Sequence, residues 1–230
     1  RSNFMDYISR HNQALKKFEG VNAGKDAIVF ATGPSVAKFE WTPQFTACVK
    51  LGLNGIYEHD NIAQSLDYYM FGSGYHIDTA HHNQINQFRE ENPDAVFLSS
   101  TFTAKYGDGR ETGLGNITEK AALDLGAIPF EVGYPGHGPG IEWQKDIGNN
   151  PFYGATIAQP ATQFLLYTGV KKVYLVGCDL GSSYNDQYAV RVWTDAWKKL
   201  PPFLLENYPG VEIVSVNPQG LTGVFSDIYT

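Results

Sequence analysis

The stretch DAIVFATGPS, residues 26–35, decides the fold of this chain. Its apolar run, residues 27–31, follows a polar turn and predicts a short strand that is buried on both faces. Gly33 permits a close approach of the backbone, Pro34 suits the first turn of a helix, and Ser35 adds a hydroxyl beside the helix start. Strand, small-residue turn and helix start form the arrangement by which α/β proteins present amides to an anion. An ordinary turn without a ligand has the same pattern.

Length predicts one large domain or one and a half small ones. The chain has 230 residues, of which 43% are hydrophobic, and this is enough for a substantial core. We predict an N-terminal helical segment over residues 1–24 and one α/β domain over residues 25–230. No apolar run approaches about 18 residues, so no membrane-spanning helix is predicted. The net charge of −7 argues against a nucleic-acid partner.

Two further features indicate the compartment. The first residues lack the apolar core of a signal peptide, and the two cysteines lie in apolar, strand-like runs that suit a reducing environment. A cytoplasmic location is therefore expected. The sequence does not define the oligomeric state.

Strand and helix patterns alternate along the chain. Strands are predicted over residues 27–31, 45–53, 67–71, 94–99, 127–132, 171–177 and 211–216, the last of the series. Helices are predicted over residues 3–19, 60–65, 76–91, 117–125, 156–168 and 188–207, the last interrupted at Pro201-Pro202. This alternation predicts an α/β fold with a mostly parallel sheet flanked by helices. The Gly- and Pro-rich span 133–155 is predicted to be a long loop, either a lid over a site or a rigid packed loop.

Polar residues are predicted to converge where the strands end, because ligands of parallel sheets lie beyond the carboxyl ends. Asp179 offers a carboxylate to a ribose, a base or a substrate hydroxyl, or else caps a turn. Asn54 both donates and accepts, or is simply an Asn-Gly turn residue. The remaining members of this group are Gly33, Pro34, Ser35, Gly72, Ser73, Ser182, Ser183 and Tyr184. Ser182, Ser183 and Tyr184 suit a phosphate or a sugar, and they equally suit a solvated turn.

His137 is the best candidate for acid–base chemistry among the six histidines, because it lies in the long Gly-rich loop that follows a strand. A purely structural histidine is the alternative. The chain has no GxxxxGK[ST], DxD, CxxC or HExxH motif. A P-loop enzyme is therefore excluded, and the pattern assigns no metal ligands.

Several blocks together resemble a known superfamily. They are LKKFEG (15–20), GKDAIVFATGPSV (24–36), LGLNGIY (51–57), DYYMFGS (67–73), YGATIAQPATQFLLYTGVKKVYLVGCDLGSSY (153–184) and VSVNP (214–218). The pattern resembles the domain of archaeal 6-hydroxymethylpterin pyrophosphokinases and of many bacterial and phage proteins. It is also similar to bacterial sialyltransferases that use CMP-activated sialic acid. The resemblance implies a Rossmann-like, nucleotide-binding fold.

The resemblance also implies roles for residues in those blocks. Gly33, Pro34 and Ser35 match a nucleotide-side loop, Asn54 matches an asparagine that faces the nucleotide phosphate, and Asp179 matches the aspartate after the KKVYLVG-like strand. Gly154, Ala155 and Thr156 match a second nucleotide-side turn. Two departures stand out: no histidine follows His137, where the sialyltransferases carry their general base, and position 72 is Gly instead of Asn.

The main hypothesis is a nucleotide-dependent transferase, a glycosyltransferase that uses a nucleotide-sugar donor such as CMP-sialic acid, with His137 and Asp179 as catalytic residues. The alternative enzyme is a pyrophosphokinase that transfers diphosphate from ATP, with Mg²⁺, to a pterin-like alcohol. A third alternative is a nucleotide-binding module that has lost catalysis. The acceptor is not defined by the sequence.

Overall fold

The computed structural model describes residues 13–72, 79–101, 114–133, 142–150, 152–180 and 187–228. These residues contain one sheet of nine strands in the order β6-β5-β4-β3-β2-β1-β7-β8-β9, and every pairing is parallel. The strands are β1 Asp26–Phe30, β2 Val49–Leu53, β3 Tyr68–Phe71, β4 Val96–Thr101, β5 Ile128–Gly133, β6 Phe152–Tyr153, β7 Lys172–Val176, β8 Glu212–Val216 and β9 Ser226–Asp227. The predicted α/β, Rossmann-like fold is confirmed.

The first strand, β1, lies at the point where the order in which strands are added to the sheet reverses. The chain builds outward from β1 to β6, then returns to place β7 on the other side of β1 and continues to β9. Ala27 is accordingly opposite both Val49 of β2 and Val173 of β7. Such a switch point leaves a crevice beyond the carboxyl ends of the two central strands.

The α-helices are α1 Pro43–Thr46, α2 Asp60–Ala63, α3 Thr79–Glu91, α4 Leu114–Asp124, α5 Ala158–Tyr167, α6 Gln187–Lys198 and α7 Leu200–Asn207, and 3-10 helices span Lys16–Phe18, Pro34–Lys38 and Asn54–Glu58. The predicted interruption near Pro201 is confirmed, since α6 ends at Lys198 and α7 begins with prolines in its first turn. Residues 1–12 of the predicted N-terminal helix lie outside the described residues.

One predicted strand begins too early, and two short strands were not predicted. Part of the strand predicted over 45–53 is the one-turn helix α1, because Thr42 accepts a hydrogen bond from the Phe45 amide (3.4 Å) and Pro43 occupies the first helical position. The two-residue strand β6 lies inside the predicted loop. Another two-residue strand, β9, follows the strand predicted to be the last. Strands this short have no periodicity to detect.

Each face of the sheet is covered by its own hydrophobic cluster. On one face α5 packs against the strands, and all ten of its residues are buried. Trp143, Trp197 and Leu200 extend this cluster beyond α5. On the other face α3 contributes Phe88 and α4 contributes Ala122 to a second cluster. Because both faces of the sheet are covered, its strands are nearly continuous runs of apolar residues.

The described part of the predicted lid is packed on the core. Trp143 is 5% exposed, and its Nε1–H donates to the Ala196 carbonyl oxygen (2.9 Å); Ile147 is completely buried. Residues 142–150 therefore match the alternative of a rigid packed loop. Residues 134–141, which include His137, lie outside the described residues. Among the helices that are described, none has both the length and the apolar character to cross a bilayer.

Candidate functional site

A cavity of about 270 Å³ opens at the β1/β7 switch point. Its floor is formed by residues that follow the carboxyl ends of β1, β2 and β7, and its walls come from the start of α5 and from α6. The lining residues are Ala31, Thr32, Gly33, Leu53, Asn54, Ala155, Thr156, Ile157, Ala158, Gly177, Cys178, Asp179, Leu180, Trp193 and Trp197. Five residues predicted from sequence, Gly33, Asn54, Ala155, Thr156 and Asp179, thus line one cavity.

Gly33 and Ser35 are tied to the segment that follows β7. The Gly33 amide donates to the Gly177 carbonyl oxygen (2.9 Å). The Ser35 amide donates to Asp179 Oδ2 (2.6 Å), and the Ser35 hydroxyl donates to Asp179 Oδ1. Pro34 has no amide hydrogen. The donors of the predicted anion-binding turn are therefore engaged by the chain's own carbonyl and carboxylate.

The bonds from Ser35 define what Asp179 does in this fold. Asp179 is 6% exposed, and each of its carboxylate oxygens accepts from Ser35. A buried carboxylate that caps a turn in this way joins the ends of β1 and β7 and fixes the cavity floor. This geometry matches the capping alternative from the sequence, although Asp179 caps the turn after β1 and not the one after its own strand.

Replacing Asp179 with asparagine should lower the free energy of unfolding by about 2 kcal/mol. The amide group keeps one acceptor oxygen but places an NH₂ group where the carboxylate accepted a second hydrogen bond. Urea unfolding of Asp179→Asn and of the exposed Asp124→Asn measures the difference. Equal losses in the two variants would contradict the structural role of the Asp179–Ser35 pair.

Asn54 adopts an unusual backbone conformation at the edge of the cavity. Its φ is +45°, in the left-handed region that few residues other than glycine occupy. Its Oδ1 accepts from the Gly72 amide (2.9 Å), and its carbonyl oxygen accepts from the Tyr69 hydroxyl (2.6 Å). Its Nδ2 has no hydrogen bond to the described part of the chain. The predicted pair Asn54 and Gly72 is thus in direct contact, with one amide donor available beside the cavity.

Gln159, which the sequence analysis did not single out, organises the start of α5. Its Oε1 accepts from the amides of Ala155 (2.6 Å) and Thr156 (3.3 Å), and its Nε2 donates to the Trp193 carbonyl oxygen (3.2 Å). The predicted turn 154–156 therefore has two of its amides capped internally. A glutamine three or four residues beyond the turn is the capping-box signal that identifies such a residue.

Two buried polar atoms on cavity-lining residues have no partner within the described residues. They are Thr156 Oγ1 and Trp197 Nε1. Leaving a buried donor or acceptor unpaired costs about 1–3 kcal/mol, so each such atom requires an explanation. Both atoms are also closed to solvent, so a ligand in the cavity would reach them only if a side chain moved. The sequence analysis did not single out Trp193 and Trp197, because an i,i+4 aromatic pair is typical of any amphipathic helix.

The described residues that line the cavity include few ionisable groups. Asp179 is its only ionisable carboxylate, and the lining contains no Lys, Arg or His. Burial, and secondarily the nearby Asp179, raises the pKa of the Cys178 thiol to about 12. Cys178 is therefore a neutral thiol near pH 7 and is not an activated nucleophile.

Several predicted site residues lie outside the described residues: Ser73, His137, Ser182, Ser183 and Tyr184. Their roles stay predictions. Within the described residues, no group of three or more His, Cys, Asp or Glu side chains is placed to hold a metal ion.

The described residues form a Rossmann-like α/β fold with a cavity at its switch point. The sialyltransferase CstII from Campylobacter jejuni in complex with the substrate analogue CMP-3FNeuAc is similar to this chain with a TM-score of 0.52 and 14% identity, covering 90% of this chain and 86% of that one. A complex of CstII with cytidine-5'-monophosphate gives a TM-score of 0.47 and 14% identity, covering 83% and 79%. No protein-family model and no curated protein sequence matches the chain.

Proposed function

We propose that this chain is a nucleotide-dependent glycosyltransferase that uses a CMP-type activated sugar, such as CMP-sialic acid, as its donor. The observation that carries the proposal is the cavity at the β1/β7 switch point, which brings Asn54 and Thr156 together on a sialyltransferase-like fold. This is the place where open parallel sheets bind nucleotides.

In the proposed reaction, an acceptor hydroxyl attacks the anomeric carbon of the donor sugar, and the bond from that carbon to the phosphate of CMP breaks. The hydroxyl proton passes to a general base, and CMP leaves with the bonding electrons. His137 is the proposed base, because the described lining contains no histidine and both oxygens of Asp179 accept from Ser35. Asp179 enters the proposal as a positioning residue for the cavity floor.

The donor-binding roles proposed from sequence are refined by the contacts. Ser35, Ala155 and Thr156 have backbone amides engaged within the chain. We therefore assign direct ligand contact to the Asn54 Nδ2 amide, and a shaping role to Gly33, Ser35 and Thr156, whose Oγ1 is closed to solvent.

CMP should bind the folded protein and raise its unfolding temperature, whereas ATP with Mg²⁺ should have a smaller effect. Calorimetric titration with CMP, CDP, UDP, GDP and ATP measures this preference.

An Asn54→Ala variant should weaken CMP binding by about tenfold, because it removes one donor from the cavity. A folded wild-type protein that binds none of these nucleotides would overturn the proposal.

The pterin pyrophosphokinase alternative requires Mg²⁺ beside a triphosphate. The described lining offers it a single carboxylate, and Ser35 occupies both oxygens of that carboxylate. This donor set does not fit the ion.

Binding of CMP without turnover of any CMP-sugar would instead favour a module that has lost catalysis.

A further inference from the structure

Thr32 lines the cavity just after the carboxyl end of β1, and the chain itself makes no use of its polar groups. The residue is exposed, and its amide and hydroxyl have no hydrogen bond within the described residues. The next amides along the turn differ, because Gly33 donates to the Gly177 carbonyl oxygen (2.9 Å) and Ser35 donates to Asp179 (2.6 Å). Thr32 is therefore the residue of this turn that remains available to a ligand.

The backbone pattern directs the Thr32 amide towards Asn54. The flanking amides of Ala31 and Gly33 donate to carbonyl oxygens at and just after the end of β7 (2.8 and 2.9 Å). Successive amides of an extended chain point to opposite sides, so the Thr32 amide points to the β2 side. Continuing the β1–β2 register by two residues places Thr32 opposite Asn54. Because Asn54 leaves the strand with a φ of +45°, the ladder ends there and the Thr32 amide has no carbonyl partner.

Thr32 and Asn54 together offer the cavity more donors than acceptors. Asn54 Oδ1 accepts from the Gly72 amide (2.9 Å), which leaves the Nδ2 group, and this group only donates. The Thr32 amide only donates, and the Thr32 hydroxyl can do either. A ligand group that satisfies this set must be rich in acceptors. Phosphate oxygens meet that requirement.

The charge of the lining indicates which kind of phosphate fits. The described lining contains no Lys, Arg or His, and the one carboxylate in it belongs to Asp179. Neutral N–H and O–H dipoles can stabilise a single negative charge. A second phosphate would bring further negative charge without a cationic partner on this surface. A phosphodiester with one charge therefore suits the lining better than a diphosphate does.

We propose that Thr32 is a specificity-determining residue of this cavity. Its amide and hydroxyl, together with Asn54 Nδ2, bind the phosphate of a nucleoside monophosphate sugar, and this neutral donor set favours a singly charged phosphodiester over a nucleoside diphosphate. The inference rests on the proposed function and names the class of phosphate that the site takes.

The test compares calorimetric binding of four probes at pH 7.5: cytidine, CMP, CDP and the 5′-phosphate methyl ester of CMP. The methyl ester keeps one negative charge, as a nucleotide sugar does, whereas the free phosphate of CMP has a second pKa of about 6 and is mostly doubly charged. Wild type should bind the methyl ester at least as tightly as CMP, and CDP about fivefold more weakly or worse.

The variants are Thr32→Val, which keeps the shape but removes the hydroxyl, and Thr32→Ser, which keeps the hydroxyl. Thr32→Val should weaken the methyl ester and CMP about tenfold and leave cytidine unchanged, because the lost hydrogen bond is to a charged group. Thr32→Ser should bind all four probes within about threefold of wild type. Thr46→Val is the matched control, since Thr46 is exposed on α1 and does not line the cavity.

The outcomes separate this inference from the proposed function. If Thr32→Val is folded by circular dichroism and binds both esters as wild type does, the inference is wrong and the proposed function stands. An equal loss of cytidine affinity in Thr32→Val would also overturn it, since Thr32 would then contact the nucleoside. If Thr32→Val does not fold, wild type decides, and tighter binding of CDP than of the methyl ester overturns the inference. A wild type that binds no nucleotide overturns the proposed function, and this inference with it.

Discussion

Replacing Gly33 with alanine should destabilise the fold by about 3 kcal/mol, at the upper end of the cost of overpacking a core. A Cβ at this position would lie far inside van der Waals contact of the Gly177 carbonyl oxygen and 2.7 Å from Cβ and Cγ of Asp179. The Gly177 oxygen is backbone, and the Asp179 carboxylate is held by Ser35, so neither group yields easily. The ends of β1 and β7 must therefore separate, which also opens the cavity floor.

The control for this variant is Gly72→Ala. The nearest atoms to a Cβ on Gly72 are Asn54 Oδ1 at 3.8 Å and Ser100 Oγ at 3.9 Å, which is ordinary contact. We expect its free energy of unfolding to lie within about 0.5 kcal/mol of wild type. Urea unfolding of both variants provides the comparison. A Gly33→Ala protein as stable as Gly72→Ala would show that the two strand ends do not require the close approach.

Replacing Glu131 with glutamine should remove a pH dependence of stability worth about 3 kcal/mol. Glu131 lies in β5 and is 1% exposed, and neither carboxylate oxygen has a partner within the described residues. Its neighbours Phe130 and Val132 pack in the cluster around α5. Glu131 therefore points to the opposite face of the sheet, the face on which α4 packs. Burial raises the pKa of this carboxyl from 4.5 to about 7.

The sign of the effect follows from the raised pKa. The folded protein holds the proton more tightly than the unfolded chain does, so the stabilisation is complete below pH 4.5 and is lost as the pH rises through 7. Wild type should therefore lose stability relative to Glu131→Gln between pH 4.5 and about 8, and the gap should then stay constant. The neutral glutamine does not titrate in this window.

Chemical unfolding at several pH values between 4.5 and 8.5 measures the two curves. Glu206→Gln, a change on the exposed surface of α7, serves as the control and should follow wild type at every pH. Parallel curves for wild type and Glu131→Gln would contradict the assignment of a buried carboxyl with a raised pKa at this position.

The sequence predicted the sheet well because its strands are buried on both faces. Residues 173–176, for example, form an unbroken buried run, whereas the intervening helices have a different hydrophobic period. The alternation of strand and helix can therefore be recognised from the sequence. The elements that were missed, β6 and β9, have two residues each and are defined only by their partners in the sheet. Length is thus what separates the predictable strands from the others.

For the site, the sequence identified positions better than it identified roles. The rule that strand ends converge placed Gly33, Asn54 and Asp179 together, and all three line the cavity. It did not reveal that Asp179 binds Ser35, because that bond joins residues 144 positions apart. Nor did it reveal that the Glu131 carboxyl is buried with no partner among the described residues, since one glutamate in an apolar strand does not show which groups surround it.

The most direct test of the nucleotide site is a crystal structure of the protein with CMP. We expect electron density for CMP in the cavity at the β1/β7 switch point, within hydrogen-bonding distance of Asn54 Nδ2. CMP bound elsewhere on the protein, or an empty cavity at a saturating CMP concentration, would contradict it.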